Sequence, residues 1–561
     1  MHATLHKLSL ALAIGCLANG AFAQASLPEL SSTTLPEAPP LADEGLKAGT
    51  PLGFYDAASF VELSSCAACE ATPQTRFYFK GDYAVSPRKG SVGFDKKELA
   101  FDDLRQWVAG RKGKPSGELP SLVWLGSPHV IEGTLSADGQ QLVTASGSTV
   151  PFSIVPKIST NLSYYDDSSA KFFSNRKVVA RGVLKDGAFV ARTLWPADYA
   201  LSSLKPTQPM LTGESASFLV GGGPREERAP FGARVLWQKT PGEALSVAGK
   251  PVLAFILNGA QGDDDEAHGG HFAVATGVFG PNGEWNQWLV NNFYNLGSVS
   301  EKGIIAATLP MDAYMADLNS GQAWYRPSYM LVAVLKDPRS AQLYQEGISR
   351  VFQHFYRQDF PYKHATANCT GLNVETLRTL GWQVPMVGAD DTLKAYAALP
   401  YMAIKEGSLA SGKDAFDYLA TERTKLYPLV GFSTLADDLL TRIAGKRVAS
   451  SGLERQIAED LEAVLFVQVP QFPSSRAFGF APVGSMAEYM ARVPENKDDW
   501  KIVPVDARPF PAELKDKDAP APERPPSEFA FAAEGSVLIA LLSWFAASAV
   551  MRRLRARKDA Q

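Results

Sequence analysis

Gly-Gly-His-Phe-Ala-Val-Ala-Thr-Gly at residues 269–277 and Trp-Leu-Val-Asn-Asn-Phe-Tyr-Asn at residues 288–295 decide how this chain folds. The first is a short apolar, partly β-branched run entered through two glycines, which predicts a buried strand with His271 at its start. The second predicts a neighbouring strand carrying two adjacent amides, Asn291 and Asn292. Outward from this pair, strand-like runs recur over 234–238, 252–257, 271–279, 285–293 and 329–335. Beyond them the apolar spacing changes to three and four residues, predicting helices over 340–357, 370–380, 392–405, 413–425, 434–443 and 454–466. Strands followed by helices predict an α+β domain spanning 206–503.

N-terminal to this domain, residues 76–205 are strand-like. Asp138-Gly139 and Asp186-Gly187 each lie between alternating runs and predict two tight hairpins, hence a small antiparallel barrel of OB-like size. There is no internal repeat. Gly221-Gly222-Gly223 lacks the Lys and Ser/Thr of a phosphate loop and reads as a turn.

The ends are different in kind. Residues 1–23 hold Lys7, an apolar run and Ala21-Phe22-Ala23 before Gln24, the pattern of a cleaved secretory signal. Residues 24–75 are a Pro-rich arm containing Cys66 and Cys69. Residues 504–534 are a Pro-rich, charged spacer. Residues 535–551 form an uncharged run of 17 residues, about 26 Å as a helix, near the short limit for a bilayer span. Residues 552–561 follow with Arg552, Arg553, Arg555, Arg557 and Lys558, a basic cytoplasmic tail. The expected topology is an inner-membrane anchor with a single C-terminal pass and the body in the periplasm.

With 561 residues, 45% of them hydrophobic, 20% charged and only four Cys, the chain excludes wholesale disorder and a disulfide scaffold. The formal charge is −4, but setting aside the +4 tail and Lys7 leaves a body at −9. No basic stripe remains for nucleic acid. Cys66 and Cys69 form a C-x-x-C pair without the second pair a zinc site needs, so a local disulfide is expected in an oxidising compartment. The run Asp263-Asp264-Asp265-Glu266 with His268 and His271 offers ligand types for a metal-dependent hydrolase, but it is contiguous and Gly-bounded, as a solvated loop is. No metal or other cofactor is expected.

Cys369 is then the single remaining thiol. Asn368-Cys369-Thr370-Gly371 precedes a helical run that stops at Leu380-Gly381, so Cys369 is expected in a first helical turn, where the macrodipole favours thiolate and backbone N–H groups can hold an oxyanion. A His on one strand, a polar residue on its neighbour and a Cys at a helix start make the layout of Cys-His-Asn nucleophilic catalysis.

In this chain order, His before Cys, the motifs over about residues 252–380 resemble the circularly permuted papain-like hydrolases and acyltransferases, which include the lecithin retinol acyltransferase group and bacterial envelope relatives. The resemblance implies a permuted papain-like α+β domain with a helical C-terminal extension, Cys369 as nucleophile, His271 as base, and Asn291 or Asn292 as the orienting group. The chain departs from the pattern in having an amide where a His or carboxylate is frequent. Expected substrates are amides or esters of the envelope: peptidoglycan peptides, lipoproteins or lipids. The competing reading is a non-catalytic binding scaffold on the same fold.

Overall fold

The computed structural model describes residues 52–55, 74–79, 82–87, 99–111, 122–127, 129–157, 164–202, 204–205, 207–210, 214–221, 230–259, 269–295, 304–356, 359–360, 362–450, 452–475 and 482–492. The expected signal, the Cys66/Cys69 pair, the acidic loop with His268, the spacer and the run at 535–551 lie outside the described residues. Among the described residues no helix is long and apolar enough to cross a membrane.

The architecture is mixed α+β, a ten-stranded sheet beside a closed five-stranded barrel. Strands β1 (Gln74–Phe79), β2 (Asp82–Pro87) and β3 (Val123–Gly126) come first, with helix α1 (Ala100–Arg111) between the last two. The barrel follows: β4 (His129–Leu135), β5 (Gln141–Thr144), β6 (Thr149–Ile154), helix α2 (Asp167–Phe173), β7 (Lys177–Lys185) and β8 (Ala188–Pro196). Next come β9 (Gly232–Gln238), β10 (Pro251–Asn258), β11 (His271–Val278), β12 (Leu289–Asn295), β13 (Ile304–Pro310), α3 (Met311–Ala316) and β14 (Ser328–Leu335). Helices α4 (Arg339–Tyr356), α5 (Cys369–Thr379), α6 (Thr392–Lys405), α7 (Leu409–Ala420), α8 (Arg423–Leu426), α9 (Pro428–Ile443) and α10 (Gly452–Asp460) precede the last strand, β15 (Leu461–Val469).

The large sheet runs β1-β2-β3-β13-β12-β11-β10-β14-β15-β9, antiparallel except where β13 meets β3. Every residue of β10 and β14 is buried, as near-continuous apolar strands covered on both faces must be. Helices α4, α5 and α9 pack on one face. Helix α3 lies against the other, touching β12 and β13 and reaching Asn258 of β10 through Tyr314, and it also touches β8 of the barrel.

The predicted hairpins are present. Asp186 and Gly187 both have positive φ, 52° and 79°, and join Lys185 to its cross-strand partner Ala188, the two-residue turn whose twist suits a hairpin. Inside the barrel a Cβ at Gly182 would lie 2.2 Å from Val190 O, so only glycine allows that strand pair to close.

The structure departs from the sequence reading at four places. The barrel begins at His129 rather than near residue 76, because Val123–Gly126, buried throughout, joins the large sheet across a parallel contact with Thr308. Helix 454–466 is a helix only to Asp460; Leu461–Val469 pairs with β14 and β9 as a strand, since an apolar run of that length satisfies either period until tertiary contacts choose. Strand β13 was not predicted at all. Trp285 to Trp288 also form a turn rather than the start of β12.

Candidate active site

The glycines ahead of His271 have a steric reason. Gly270 has φ +76°, and a Cβ there would sit 2.6 Å from Asn258 O, so the chain can enter β11 alongside the end of β10 only without a side chain. Register then aligns His271 with Asn258, and Asn258 with Ser328, across three strands on one face. The Asn258 Nδ2 donates to Ser328 Oγ at 2.7 Å, and its Oδ1 accepts the Tyr314 hydroxyl from α3. The Tyr314 ring lies 6.3 Å from the His271 ring, tilted by 40°. Arg326, 6% exposed just ahead of β14, donates from Nη1 to Gly259 O at 2.9 Å.

Cys369 opens α5 as expected. Asn368 is the N-cap: its Oδ1 accepts from Gly371 N–H at 2.7 Å, and its Nδ2 donates to His364 O at 2.6 Å. Cys369 is in no disulfide and 6% exposed. Its Sγ lies 3.8 Å from Thr370 Oγ1, and its N–H donates to the Tyr362 hydroxyl at 3.3 Å. Two of the N–H groups expected to face a substrate carbonyl, those of Cys369 and Gly371, are therefore already engaged.

The site has a coherent electrostatic character. Burial pushes the His271 imidazole down to about 3, and the charges of Arg326 and His364 add to that, so the ring is neutral at neutral pH. Burial raises the Tyr314 phenol well above its ordinary value; Arg326 opposes the rise and Cys369 adds to it. His271 thus lies within electrostatic reach of Arg326 and His364, and Tyr314, whose ring is beside that of His271, within reach of Arg326 and Cys369. No hydrogen bond joins Cys369 Sγ to the His271 ring. By strand alternation His271 points to the α3 face, whereas α5 packs against β11 from the opposite layer.

The two amides part company for the same reason. Asn291 pairs with Val274 and faces the helices, where it exchanges two hydrogen bonds of 2.8 Å with Gln345 on α4 and accepts from Thr308 Oγ1 at 2.9 Å. Its amide is committed to that clasp. Asn292, one residue on, shares the face of His271, fully buried, and neither amide atom has a partner among the described residues. Asn258, Tyr314 and Arg326 were missed in the sequence. Asn258 had one legible signal, a polar residue closing an otherwise apolar strand before Gly259.

Among the described residues no cluster of His, Cys, Asp and Glu could hold a metal ion. No protein-family model, curated protein or solved structure matches this chain.

Proposed function

We propose that this chain is an exported, membrane-anchored, cysteine-dependent amide or ester hydrolase or acyltransferase of the cell envelope, built as a permuted papain-like domain with an OB-like barrel. The observation that carries the reading is the helix-start thiol Cys369 within charge range of Tyr314, whose ring lies 6.3 Å from that of the neutral, partly buried His271. In the reaction the Cys369 S–H proton passes to the imidazole and the sulfur bonds to the substrate carbonyl carbon, forming a tetrahedral intermediate. Collapse breaks the bond to the leaving amine or alcohol, which takes the proton from His271. Water or an acceptor hydroxyl then attacks the thioester and restores the thiol. Arg326 supplies a cationic donor beside the ring, the Tyr314 hydroxyl being committed to Asn258, and Asn292, on the same face as His271, orients the ring.

The barrel order β4-β5-β6-β8-β7, with a parallel β6–β8 pair and α2 before β7, supports the OB-like description. The second reading, a non-catalytic scaffold, is favoured by the opposite layers from which Cys369 and His271 approach and by the engaged N–H of Cys369. A thiol-directed activity probe separates the two. Catalysis predicts that native protein is labelled at Cys369 much faster than denatured protein, and that His271→Gln slows labelling by roughly two orders of magnitude. Equal rates for native, denatured and His271→Gln protein would leave the scaffold.

A further inference from the structure

Helix α6 is apolar on both sides. Its inward residues Ala395, Ala398 and Met402 pack on Ala415 and Leu419 of α7, where a Cβ at Gly412 would meet Leu399 O at 2.4 Å. Its other side holds Leu393 at 82% exposure, Ile404 at 83%, Tyr401 at 42% and Tyr396 at 54%, the last with its ring against that of Phe416 on α7. Met386 at 74% and Leu409 at 58% flank the same hairpin. Six of the eleven exposed large apolar side chains among the described residues therefore fall within residues 386–409. A helix solvated on its outer side carries polar residues there.

We infer that the α6–α7 hairpin docks into the headgroup layer of the bilayer that carries the protein. The inference rests on the membrane-anchored reading above. Lys394 and Lys405 stand at the two ends of α6, each beside an acidic neighbour, Asp391 at 2.8 Å and Glu406 at 3.7 Å, and tyrosines suit the water–lipid boundary. The chain beyond Arg492 bears on the occupant. Its 42 residues from 493 to 534 lead to the uncharged run at 535–551 and the five bases after it. Residues 504–534 are the Pro-rich spacer of the sequence reading, and a chain of that length can span from the body to the surface that the run at 535–551 enters. The body's net −9 gives no electrostatic attraction to anionic lipid, so the contact is made by apolar insertion.

The test uses the full chain in zwitterionic vesicles containing a photoactivatable phosphatidylcholine, with labelled peptides mapped by mass spectrometry. Lipid adducts are expected both at 535–551 and within 386–409. The double variant L393E/I404E, altered only at exposed positions, should lose the second set by roughly tenfold and keep the first. Adducts at 535–551 with none in 386–409 would overturn the docking while leaving the anchor intact. Cross-links from 386–409 to a second copy or another protein in place of lipid would overturn it equally. Absence of adducts at 535–551 would remove the anchor itself, and the docking with it.

Discussion

An imidazole at the first position of β11, hemmed in beside Tyr314 and near the charges of Arg326 and His364, has its charge state set by where it sits. In the unfolded chain His271 titrates near the usual 6.5, and in the fold near 3, so between those values the unfolded state binds the extra proton. Stability from this group is fully present above pH 6.5 and declines as pH falls toward 3, by at most about 1.4 kcal/mol per pH unit. Urea unfolding of wild type and His271→Gln across that window checks it; parallel pH slopes for the two proteins would refute the burial argument. Both His271 and Cys369 were legible because their signals are local, a Gly-Gly entry to a strand and an Asn cap on a helix. Tyr314 and Arg326 were not, and Asn258 showed only as a polar end to an apolar strand, since the three come from α3, the approach to β14 and β10 and meet His271 only through strand register and the path of 311–327.

Strand β12 shows how one step of register separates two identical side chains. Asn291 is satisfied by Gln345 and Thr308, whereas Asn292 is buried without a partner among the described residues. Asn291→Val should cost roughly 1–3 kcal/mol by orphaning the Gln345 amide. Asn292→Val should instead be neutral or stabilising by about 1 kcal/mol, and should slow probe labelling at Cys369 if the amide orients His271. Thermal melts and labelling rates on the two variants decide this, and a larger stability loss at Asn292 than at Asn291 would contradict it. The alternation was readable in the sequence, but which face met the helices was not. The same limit explains α10 and β15: Leu461–Val469 carries no internal mark that selects strand over helix, and pairing with β14 and β9 makes the selection.

At the scale of the whole molecule, two arginines of the barrel grip the segment that covers the sheet. Arg181 on β7 is 3.0 Å from Asp312, both side chains at most 4% exposed, and Arg192 on β8 meets Asp317 at 2.5 Å. These pairs bracket α3 and so hold Tyr314 against Asn258 and His271. Asp312→Ala should cost roughly 3–5 kcal/mol by stranding a buried guanidinium, while Arg181→Met with Asp312→Leu should recover most of that loss. A double-mutant cycle of Arg181→Met, Asp312→Leu and the pair together, by urea unfolding, measures the coupling; additive losses would show that the pair does not hold the barrel in place. Nothing local in residues 176–196 announces this role, because Arg181 and Asp312 are 131 positions apart.

By itself the sequence determined what local chemistry can specify: two Asp-Gly hairpins, a change of apolar period from strands to helices, a capped helix opening at Cys369 and a strand opening at His271. Tertiary structure decided the rest, namely that β3 leaves the barrel text to join β13, that the last helical run finishes as a strand, and that Asn292 rather than Asn291 shares the face of His271. Those outcomes depend on register and on which layer covers each face, and both are settled by burial and hydrogen bonding between segments far apart in the chain.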